Sequence, residues 1–294
     1  MKTIDTLIQD IYSVVEQKGG WTEVVNEHFK ERLGSTMSGR LKPLEEGEES
    51  RKGTLRMSNV GQPCSRKLWY HVHEDHEGEE LRPETRLKFL FGDILEDLLL
   101  SLAEAAGHTV EGTQDVMKVN GLKGHRDAVI DGVTVDVKSA SSYSFQKFKN
   151  NALRYEDPFG YIQQLSSYVY AGKDDPLVKD KTRGAFLVID KQHGTLCLDV
   201  YDFTSELSNK EEFIEERKKE VNGDTPPERA FQDEPDGYTK DGVFRSNGNR
   251  KLGVNCSYCD YKKSCWPNLR TFVGKGKPKF LTEVVKEPRM MEVK

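Results

Sequence analysis

The segment between residues 116 and 139 constrains the fold more than any other part of the chain. Apolar and polar side chains alternate along it, and an Asp131-Gly132 pair stands inside it. Alternation with a period of two predicts β-strands, and an Asp-Gly pair favours a two-residue hairpin turn between them. In that register Asp127 lies directly opposite Asp136 on one face of the hairpin.

Two like charges side by side destabilise a sheet unless a positive group lies between them. A divalent cation would satisfy both Asp127 and Asp136. The same pleat places Lys138 two residues beyond Asp136 and across from His125, within reach of whatever the metal holds. The alternative interpretation is an exposed hairpin whose acids point into water.

A long amphipathic helix is predicted from Glu84 to Ala106. Its apolar face is expected to consist of Leu87, Phe91, Ile94, Leu98 and Leu102. The middle of its polar face consists of Asp93, Asp97 and Glu104. Glu96 lies at the border, where the small residues Gly92 and Ala103 leave room around it. Glu96 can therefore serve as a third acid, or it is an ordinary glutamate at the edge of the polar face.

Local periodicity and turn residues predict the remaining elements. Helices are expected within residues 1–35, from Pro63 to Val72 with Cys64 in the first turn, from Asp157 as N-cap and Pro158 at the first helical position to Gly172, and over 204–221. A second hairpin is expected from strands at 184–190 and 195–203. Acidic loops are expected at 45–52 and 73–80.

Charge and composition limit the class of protein. The chain has 294 residues, of which 35% are hydrophobic and 32% charged, with a net charge of −5. This balance excludes nucleic-acid binding by bulk charge. Residues 250–294 carry 11 Lys and Arg against 4 Asp and Glu, so this segment alone is basic and could contact phosphates. No window is apolar enough to span a membrane, and the N-terminus lacks the pattern of a signal peptide, so we expect a cytoplasmic protein.

The five cysteines do not fit a disulfide framework, because their number is odd and no secretory signal precedes them. Cys256, Cys259 and Cys265 form a C-x2-C-x5-C pattern, which is too short for a paired zinc ribbon and requires a fourth ligand from elsewhere. We expect Cys64 to be that ligand. Cys197 lies in a predicted strand and is interpreted as a plain thiol.

Four short motifs occur in order: Gly92 to Glu96 (G-x-x-x-E), Gly124 to Asp127 (G-x-x-D), Asp136 to Lys138 (D-V-K) and Gln164 to Tyr168 (Q-x-x-x-Y). Over residues 58–267 the chain resembles the PD-(D/E)XK nucleases, in particular the RecB-like exonuclease branch with its CRISPR-associated and iron–sulfur members. The resemblance implies an α/β core with a mixed central sheet flanked by helices. One departure is that many iron–sulfur members carry histidine where Glu96 stands.

The resemblance also assigns roles to the residues in these motifs. It implies that Glu96, Asp127, Asp136 and the Val137 carbonyl bind one or two Mg²⁺ or Mn²⁺ ions. Lys138 would position or deprotonate the attacking water, in addition to any salt bridge with Asp136. Gln164 and Tyr168, one helical turn apart, would touch DNA near the scissile phosphate, with His125 beside them. The alternative for the helix is that its tyrosines merely pack.

The same resemblance implies a role for four of the five cysteines. Cys64, Cys256, Cys259 and Cys265 would hold a [4Fe–4S] cluster that clips the two ends of the nuclease domain together, with zinc at the same thiolates as the alternative. Arg66 follows Cys64 closely, together with Lys67, Trp69 and Tyr70. These side chains would contact phosphates and bases near the cluster, or pack against the core.

The sequence therefore predicts a helical N-terminal extension and acidic linker (1–55), a nuclease domain with an iron–sulfur cluster (56–270) and a basic C-terminal tail (271–294). The expected activity is metal-dependent DNA exonucleolysis in recombination, repair or phage DNA processing. The alternatives are a catalytically silent DNA-binding scaffold and the nuclease subunit of a helicase–nuclease complex. The chain has no nucleotide-cradling GxxxxGK[ST] loop, so a helicase or recombinase would be a separate partner.

Overall fold

The computed structural model describes residues 2–42, 53–73 and 83–293. The acidic loop expected at 45–52 and all but the first residue of the one expected at 73–80 lie outside these ranges. The chain forms two compact units. One comprises Met1–Gln62 and Asp75–Lys219, and the other comprises Pro63–Glu74 and Glu220–Lys294.

Helices occur in both units. Numbered along the chain, they are α1 (Leu7–Val15), α2 (Glu23–Leu41), α3 (Ser65–His73), α4 (Pro83–Ala105), α5 (Ser142–Lys149), α6 (Tyr161–Ala171), α7 (Thr204–Leu207), α8 (Lys210–Val221), α9 (Val254–Ser257) and α10 (Lys262–Cys265). No helix in the described part of the chain is long and apolar enough to cross a membrane.

The strands of the described ranges form three sheets. They are β1 (Val110–Glu111), β2 (Val116–Val119), β3 (Leu122–His125), β4 (Ala128–Ile130), β5 (Val133–Ala140), β6 (Arg183–Asp190), β7 (Leu196–Asp202), β8 (Asp233–Lys240), β9 (Val243–Leu252), β10 (Arg270–Val273), β11 (Lys279–Glu283) and β12 (Met291–Val293).

The first unit is built on a mixed five-stranded sheet of order β1-β4-β5-β6-β7. Strands β5 and β6 are parallel, and the other neighbouring pairs are antiparallel. Apolar residues of α1 and α4 pack on one face of this sheet, and those of α5 and α6 pack on the other. The predicted mixed sheet flanked by helices is confirmed. The N-terminal helix α1 belongs to this core rather than extending from it, because Leu7 and Ile11 are fully buried.

The predicted Asp131-Gly132 hairpin is confirmed. Ile130 pairs with Val133, and both turn residues have positive φ, at 51° and 83°, as a type I′ turn requires. The strands do not continue unbroken toward residue 116, because the chain makes a second hairpin of β2 and β3 around Asn120-Gly121, whose φ values are also positive.

This second hairpin corrects the position of His125. His125 pairs with Val116 in the separate two-stranded sheet of β2 and β3. It is therefore not the strand partner of Lys138, and it lies exposed on β3. The expected pairing is wrong because Asn120-Gly121 forms a second turn of the same type I′ kind, which separates β3 from β4 and β5.

The predicted long helix is confirmed as α4. The prediction that its apolar face is buried along its whole length is wrong for the first half of the helix. Leu87 and Phe91 are 52% and 60% exposed. The residues that face the sheet are Leu99, Leu100 and Ala103. The helix has apolar residues on two faces, and its periodicity alone does not decide which of them meets the sheet.

The polar face of α4 packs against α2 instead of facing water. Asp93 accepts two hydrogen bonds from the Arg40 guanidinium, at 2.5 and 2.9 Å. Glu104 pairs with Arg32, and Asp97 is buried between the two helices. The acids expected in solvent therefore tie the second N-terminal helix to the core.

Three predicted helices have different boundaries. Asp157 is not the N-cap of α6. Its carboxylate still accepts a hydrogen bond from Ile162 N at 2.8 Å, and a left-handed Gly160 delays the first helical residue to Tyr161. The charged helix expected over 204–221 is broken into α7 and α8. Helix α3 begins at Ser65, so Cys64 precedes it and Pro63 is not in its first turn.

The second unit contains a five-stranded sheet of order β12-β10-β11-β9-β8, together with α3, α9 and α10. Segment 271–294, expected to be a tail, contributes strand residues to this sheet. Strand β10 pairs with both β11 and β12. Part of its positive charge is neutralised within the unit, since Lys279 pairs with the buried Asp236 at 3.0 Å.

Candidate active site

Three acids and one lysine lie on β5, the middle strand of the central sheet, or on segments that adjoin it. Glu96 comes from α4, Asp127 precedes β4, and Asp136 and Lys138 stand two residues apart on the same face of β5. Asp136 is only 4% exposed, so the hairpin does not point its acids into water. The charge of Asp136 raises the pKa of both Glu96 and Asp127, and the charge of Lys138 lowers it.

The two aspartates have different partners. Asp127 Oδ2 accepts a hydrogen bond from Val137 N at 2.7 Å, which fixes it against β5. Asp136 Oδ2 lies 2.5 Å from Lys138 Nζ. This ion pair lacks hydrogen-bond geometry, so the buried Oδ2 accepts no well-formed hydrogen bond. Asp136 Oδ1 receives a weaker one from Gln164 Nε2 at 3.4 Å.

The acids disfavour one another's charge. Burial, with the nearby charge of Asp136, raises the pKa of Glu96 to about 7. Burial and the charges of Asp136 and Glu96 raise the pKa of Asp127 well above its usual range. Burial opposes the charge of Lys138, but attraction by Asp136 and Asp127 outweighs it and raises the pKa of the lysine. The three acids therefore exceed what one lysine can neutralise.

This donor set fits a hard divalent cation. Carboxylate oxygens are the ligands that Mg²⁺ prefers, and a divalent charge would balance three ionised carboxylates beside one lysine. The buried Asp136 Oδ2 is an acceptor without a well-formed hydrogen bond. Within residues 2–42, 53–73 and 83–293, no three His, Cys, Asp or Glu side chains are arranged so that they could hold a metal ion, and this applies to the four cysteines as well as to the carboxylates.

Gln114 is a site residue that the sequence did not reveal. Its Nε2 donates to Glu96 Oε1 at 2.6 Å, and its backbone N donates to the Asp127 carbonyl at 3.3 Å. It does so from a backbone with φ of 56°. Gln114 thus links two of the three acids, and no pattern in the sequence marks it.

Helix α6 brings different residues to the site from those expected. Gln164 contacts Asp136, but Tyr168 is 4% exposed and packs with Met57 in a buried cluster. The alternative of packing therefore holds for Tyr168. Its hydroxyl lies against Gly124, where an added Cβ would come within 2.6 Å of it, which explains the need for glycine in that motif. Tyr161 lies one turn earlier, with its ring centroid 5.2 Å from Lys138 Nζ.

The second unit holds the four predicted cluster cysteines. Cys64 precedes α3, Cys256 is in α9, Cys265 ends α10, and Cys259 lies between the two helices. All four are free and half-buried. Burial, with the charges of Cys259, Cys265 and Cys64, raises the pKa of Cys256 to about 11.

The residues that follow Cys64 pack inside this unit. Arg66 Nη1 donates to the Pro227 carbonyl at 2.9 Å, and Trp69 Nε1 donates to the Gly223 carbonyl at 2.7 Å. Tyr70 stacks on Tyr261, with ring centroids 5.7 Å apart. These contacts match the packing alternative for Trp69 and Tyr70.

Cys197 is a free, half-buried thiol on β7, paired across the ladder with Val188. Burial raises its pKa to about 12. It is thus a weak nucleophile.

Comparison with known proteins identifies the family. Residues 16–266 match the family model described as the PD-(D/E)XK nuclease superfamily. No curated protein is significantly similar in sequence. Among solved structures, the chain is similar to the crystal structure of SSO0001, with 14% identity and a TM-score of 0.39, over 79% of this chain and 93% of that chain. Because the family model spans most of the sequence and includes every residue of the carboxylate–lysine site, this chain belongs to the PD-(D/E)XK nuclease superfamily.

Proposed function

We propose that this protein is a metal-dependent DNA exonuclease of the RecB-like branch, acting in recombination, repair or phage DNA processing. Membership of the superfamily implies phosphodiester hydrolysis with DNA as substrate, generally with Mg²⁺ or Mn²⁺. The observation that carries the proposal is the ion pair of the buried Asp136 with Lys138 on β5, together with the charge of Asp136 that raises the pKa of Glu96 and Asp127. A protein without a cation to bind gains nothing from that arrangement.

The proposed roles follow from the chemistry of the reaction. Glu96, Asp127, Asp136 and the Val137 carbonyl would hold the metal, which supplies neutralisation of the phosphate and activation of water when bound. Lys138 positions or deprotonates the attacking water and offsets the negative charge that develops. Gln164 keeps Asp136 oriented through its hydrogen bond.

The proposed DNA contacts divide into direct and indirect ones. Gln164 and the exposed His125 would face the substrate directly. Tyr168 would act indirectly, because its buried ring supports the strand at Gly124. Arg66 has one guanidinium nitrogen on the Pro227 carbonyl, so any phosphate it binds would share that side chain with a structural contact.

The test compares wild type with Asp136→Ala and Asp136→Asn on end-labelled single-stranded and duplex DNA, with Mg²⁺, with Mn²⁺ and with EDTA. We expect metal-dependent cleavage that both variants lose, and products that report the polarity from the labelled end. Asp174→Ala, an exposed loop acid, is the matched control and should cleave normally. Folded wild-type protein that binds DNA without cutting it would favour a silent scaffold, and cleavage that requires a helicase would favour a subunit of a larger complex.

We further propose that Cys64, Cys256, Cys259 and Cys265 hold a [4Fe–4S] cluster, with zinc as the alternative. Among the described residues of this unit, three buried N–H groups lack hydrogen-bond partners: Arg66 Nε, Arg229 Nε and Trp266 Nε1. Arg66 and Arg229 also lie close enough to influence the cysteine charges. Cluster sulfides and thiolates accept such hydrogen bonds, so an anionic sulfur-rich group would satisfy these donors.

The role of the cluster would be structural, since it closes a loop of about 190 residues between Cys64 and Cys256. Anaerobic purification followed by visible absorption and by assay of iron, sulfide and zinc tests this. We expect iron and sulfide in wild type, their loss in Cys64→Ser and their retention in Cys197→Ser. Stoichiometric zinc without iron would show that the four cysteines bind zinc and not a [4Fe–4S] cluster. Protein that contains neither iron nor zinc would contradict both the cluster and the zinc alternative.

A further inference from the structure

A cavity of about 250 Å³ opens beside the catalytic lysine, on the side of β5 that faces α5 and α6. Its apolar lining includes three aromatic rings in contact, beside Leu153 and Pro158. Tyr161 lies 5.9 Å from Phe148 and 5.4 Å from Phe159, measured between ring centroids. Since Lys138 Nζ is 5.2 Å from the Tyr161 ring, the aromatic wall begins at the proposed reaction centre.

Positive charge lines the rest of this cavity. Lys138, Lys147 and Lys191 all border it. Lys147 is paired with Glu156 at 2.6 Å, and Lys138 with Asp136, whereas Lys191 is exposed at the turn after β6. Aromatic faces interleaved with ammonium groups are the arrangement that binds single-stranded nucleic acid, by stacking bases and neutralising phosphates.

Two exposed aromatic rings stand at the cavity or beside it. Phe159 is 55% exposed, and Tyr143, next to Lys147, is more exposed still. Large rings held in water at the rim of a cationic cavity do not contribute much to the core of the protein. Their exposure is explained if a flat apolar partner covers them.

We infer that this cavity, defined by Phe148, Phe159, Tyr161, Lys138, Lys147 and Lys191 and here called the aromatic cleft, binds one unpaired nucleotide of a single-stranded DNA end next to the scissile phosphate. The inference rests on the proposed nuclease function and adds the form of the substrate. The cavity is smaller than the roughly 300–1,000 Å³ of pockets for drug-sized ligands, so it has room for a single base and not for a base pair. A base in duplex is covered on both faces and cannot stack on protein rings without leaving its partner.

The aromatic cleft offers one side chain to the base and another to the phosphate. Phe159 offers an exposed ring to the base, and Lys191 is placed to meet an adjacent phosphate. Both side chains lie outside the carboxylate site, so changing them should alter the binding of DNA without removing the groups proposed for hydrolysis.

The test measures the affinity of the full-length Asp136→Asn protein for a fluorescent oligonucleotide, single-stranded or annealed as a blunt duplex. Adding Phe159→Ala should weaken single-strand binding about tenfold and leave duplex binding unchanged. Phe159→Trp, which keeps a stacking face, should retain single-strand affinity. Lys191→Gln should lower the slope of log affinity against log salt by about 0.7, the value for one phosphate of a single strand. Lys149→Gln, on the same helix as Lys147 but outside the aromatic cleft, is the control.

The outcomes separate the two proposals. If Phe159→Ala leaves the single-strand affinity of the Asp136→Asn protein unchanged, the assignment of the aromatic cleft is wrong. It is also wrong if Phe159→Ala weakens single-strand and duplex binding equally. In both cases the nuclease proposal stands. Absence of DNA binding and of cleavage in the wild type would overturn both. Ultraviolet crosslinking of an oligonucleotide with 5-iodouracil at its terminal position gives a direct readout. We expect the crosslink at Phe159 or Tyr161, and a crosslink confined to other residues would contradict the inference.

Discussion

Replacing Glu96 with glutamine should stabilise the metal-free protein at alkaline pH and leave it unchanged at acid pH. Burial, together with the charges of Asp136 and Asp97, raises the pKa of this carboxyl from its usual 4.5 to about 7, against the opposing hydrogen bond from Gln114. A rise of that size corresponds to about 3 kcal/mol of unfavourable free energy for the ionised form. Glutamine keeps an acceptor for Gln114 Nε2 and removes the charge.

The sign of the pH dependence follows from the direction of the shift. Because the folded-state pKa of Glu96 lies above its unfolded-state value, the folded protein binds more protons between the two, and this group destabilises the fold as pH rises from about 4.5 through about 7. Below that window both states carry a neutral carboxyl, so Glu96→Gln gains nothing. Above it, the variant should gain at most about 3 kcal/mol.

Urea unfolding of both proteins in EDTA, followed by circular dichroism at about pH 4.5 and about pH 8.5, measures this difference. Glu84→Gln is the matched control, because Glu84 is exposed in the first turn of the same helix. Its effect should be small and equal at both pH values. A stabilisation by Glu96→Gln of equal size at both pH values, or a loss of stability at the alkaline one, would refute the view that Glu96 is buried among like charges.

Four further predictions concern the site and its supports. Lys138→Gln should lower the rate of DNA cleavage by at least about 100-fold without unfolding the protein, measured on end-labelled DNA with circular dichroism as control. Gly124→Ala should destabilise by about 1–3 kcal/mol in urea, because its Cβ would lie 2.6 Å from the Tyr168 hydroxyl, and Tyr168→Phe should recover part of that loss. Burial lowers the pKa of Lys210 to about 8, so wild-type stability should rise from about pH 8 to about pH 10.5, and Lys210→Met should flatten that rise. Affinity for Mn²⁺ in calorimetry should increase as pH rises through about 7 with proton release, and a pH-independent affinity would exclude Glu96 from the site.

The parts of the site that the sequence predicted are those determined by local chemistry. The Asp131-Gly132 turn specifies its own type I′ geometry, and that turn fixes the register of β4 and β5. Once the register is fixed, the placement of Asp136 and Lys138 on one face follows from the pleat. The same local rule, applied to Asn120-Gly121, would have placed His125 correctly.

The parts that the sequence did not predict depend on contacts between distant segments. Lys210 is 1% exposed and donates to Gln163 and Ser166 of α6, yet it stands in a run of charged residues typical of a solvated helix. Strand β8 reads DEPDGYTK, without the apolar alternation of a strand, and it pairs only because β9 lies beside it. Burial in both cases is created by the partner element and leaves no trace in local periodicity.

The carboxylate site lowers the stability of the metal-free fold, and this free-energy penalty indicates a function. A hairpin with its acids turned to water would carry Asp127 and Asp136 at little expense, and the turn alone would permit either arrangement. The protein instead buries Asp136 and half-buries Asp127 and Glu96, and in the absence of a cation the pKa values of Glu96 and Asp127 are raised. Packing gains nothing from this, since an amide at position 96 would keep the Gln114 contact and relieve the repulsion. Carboxylates that lower the stability of the metal-free fold are explained if they bind a ligand. A divalent cation is the ligand whose charge balances three carboxylates beside one lysine.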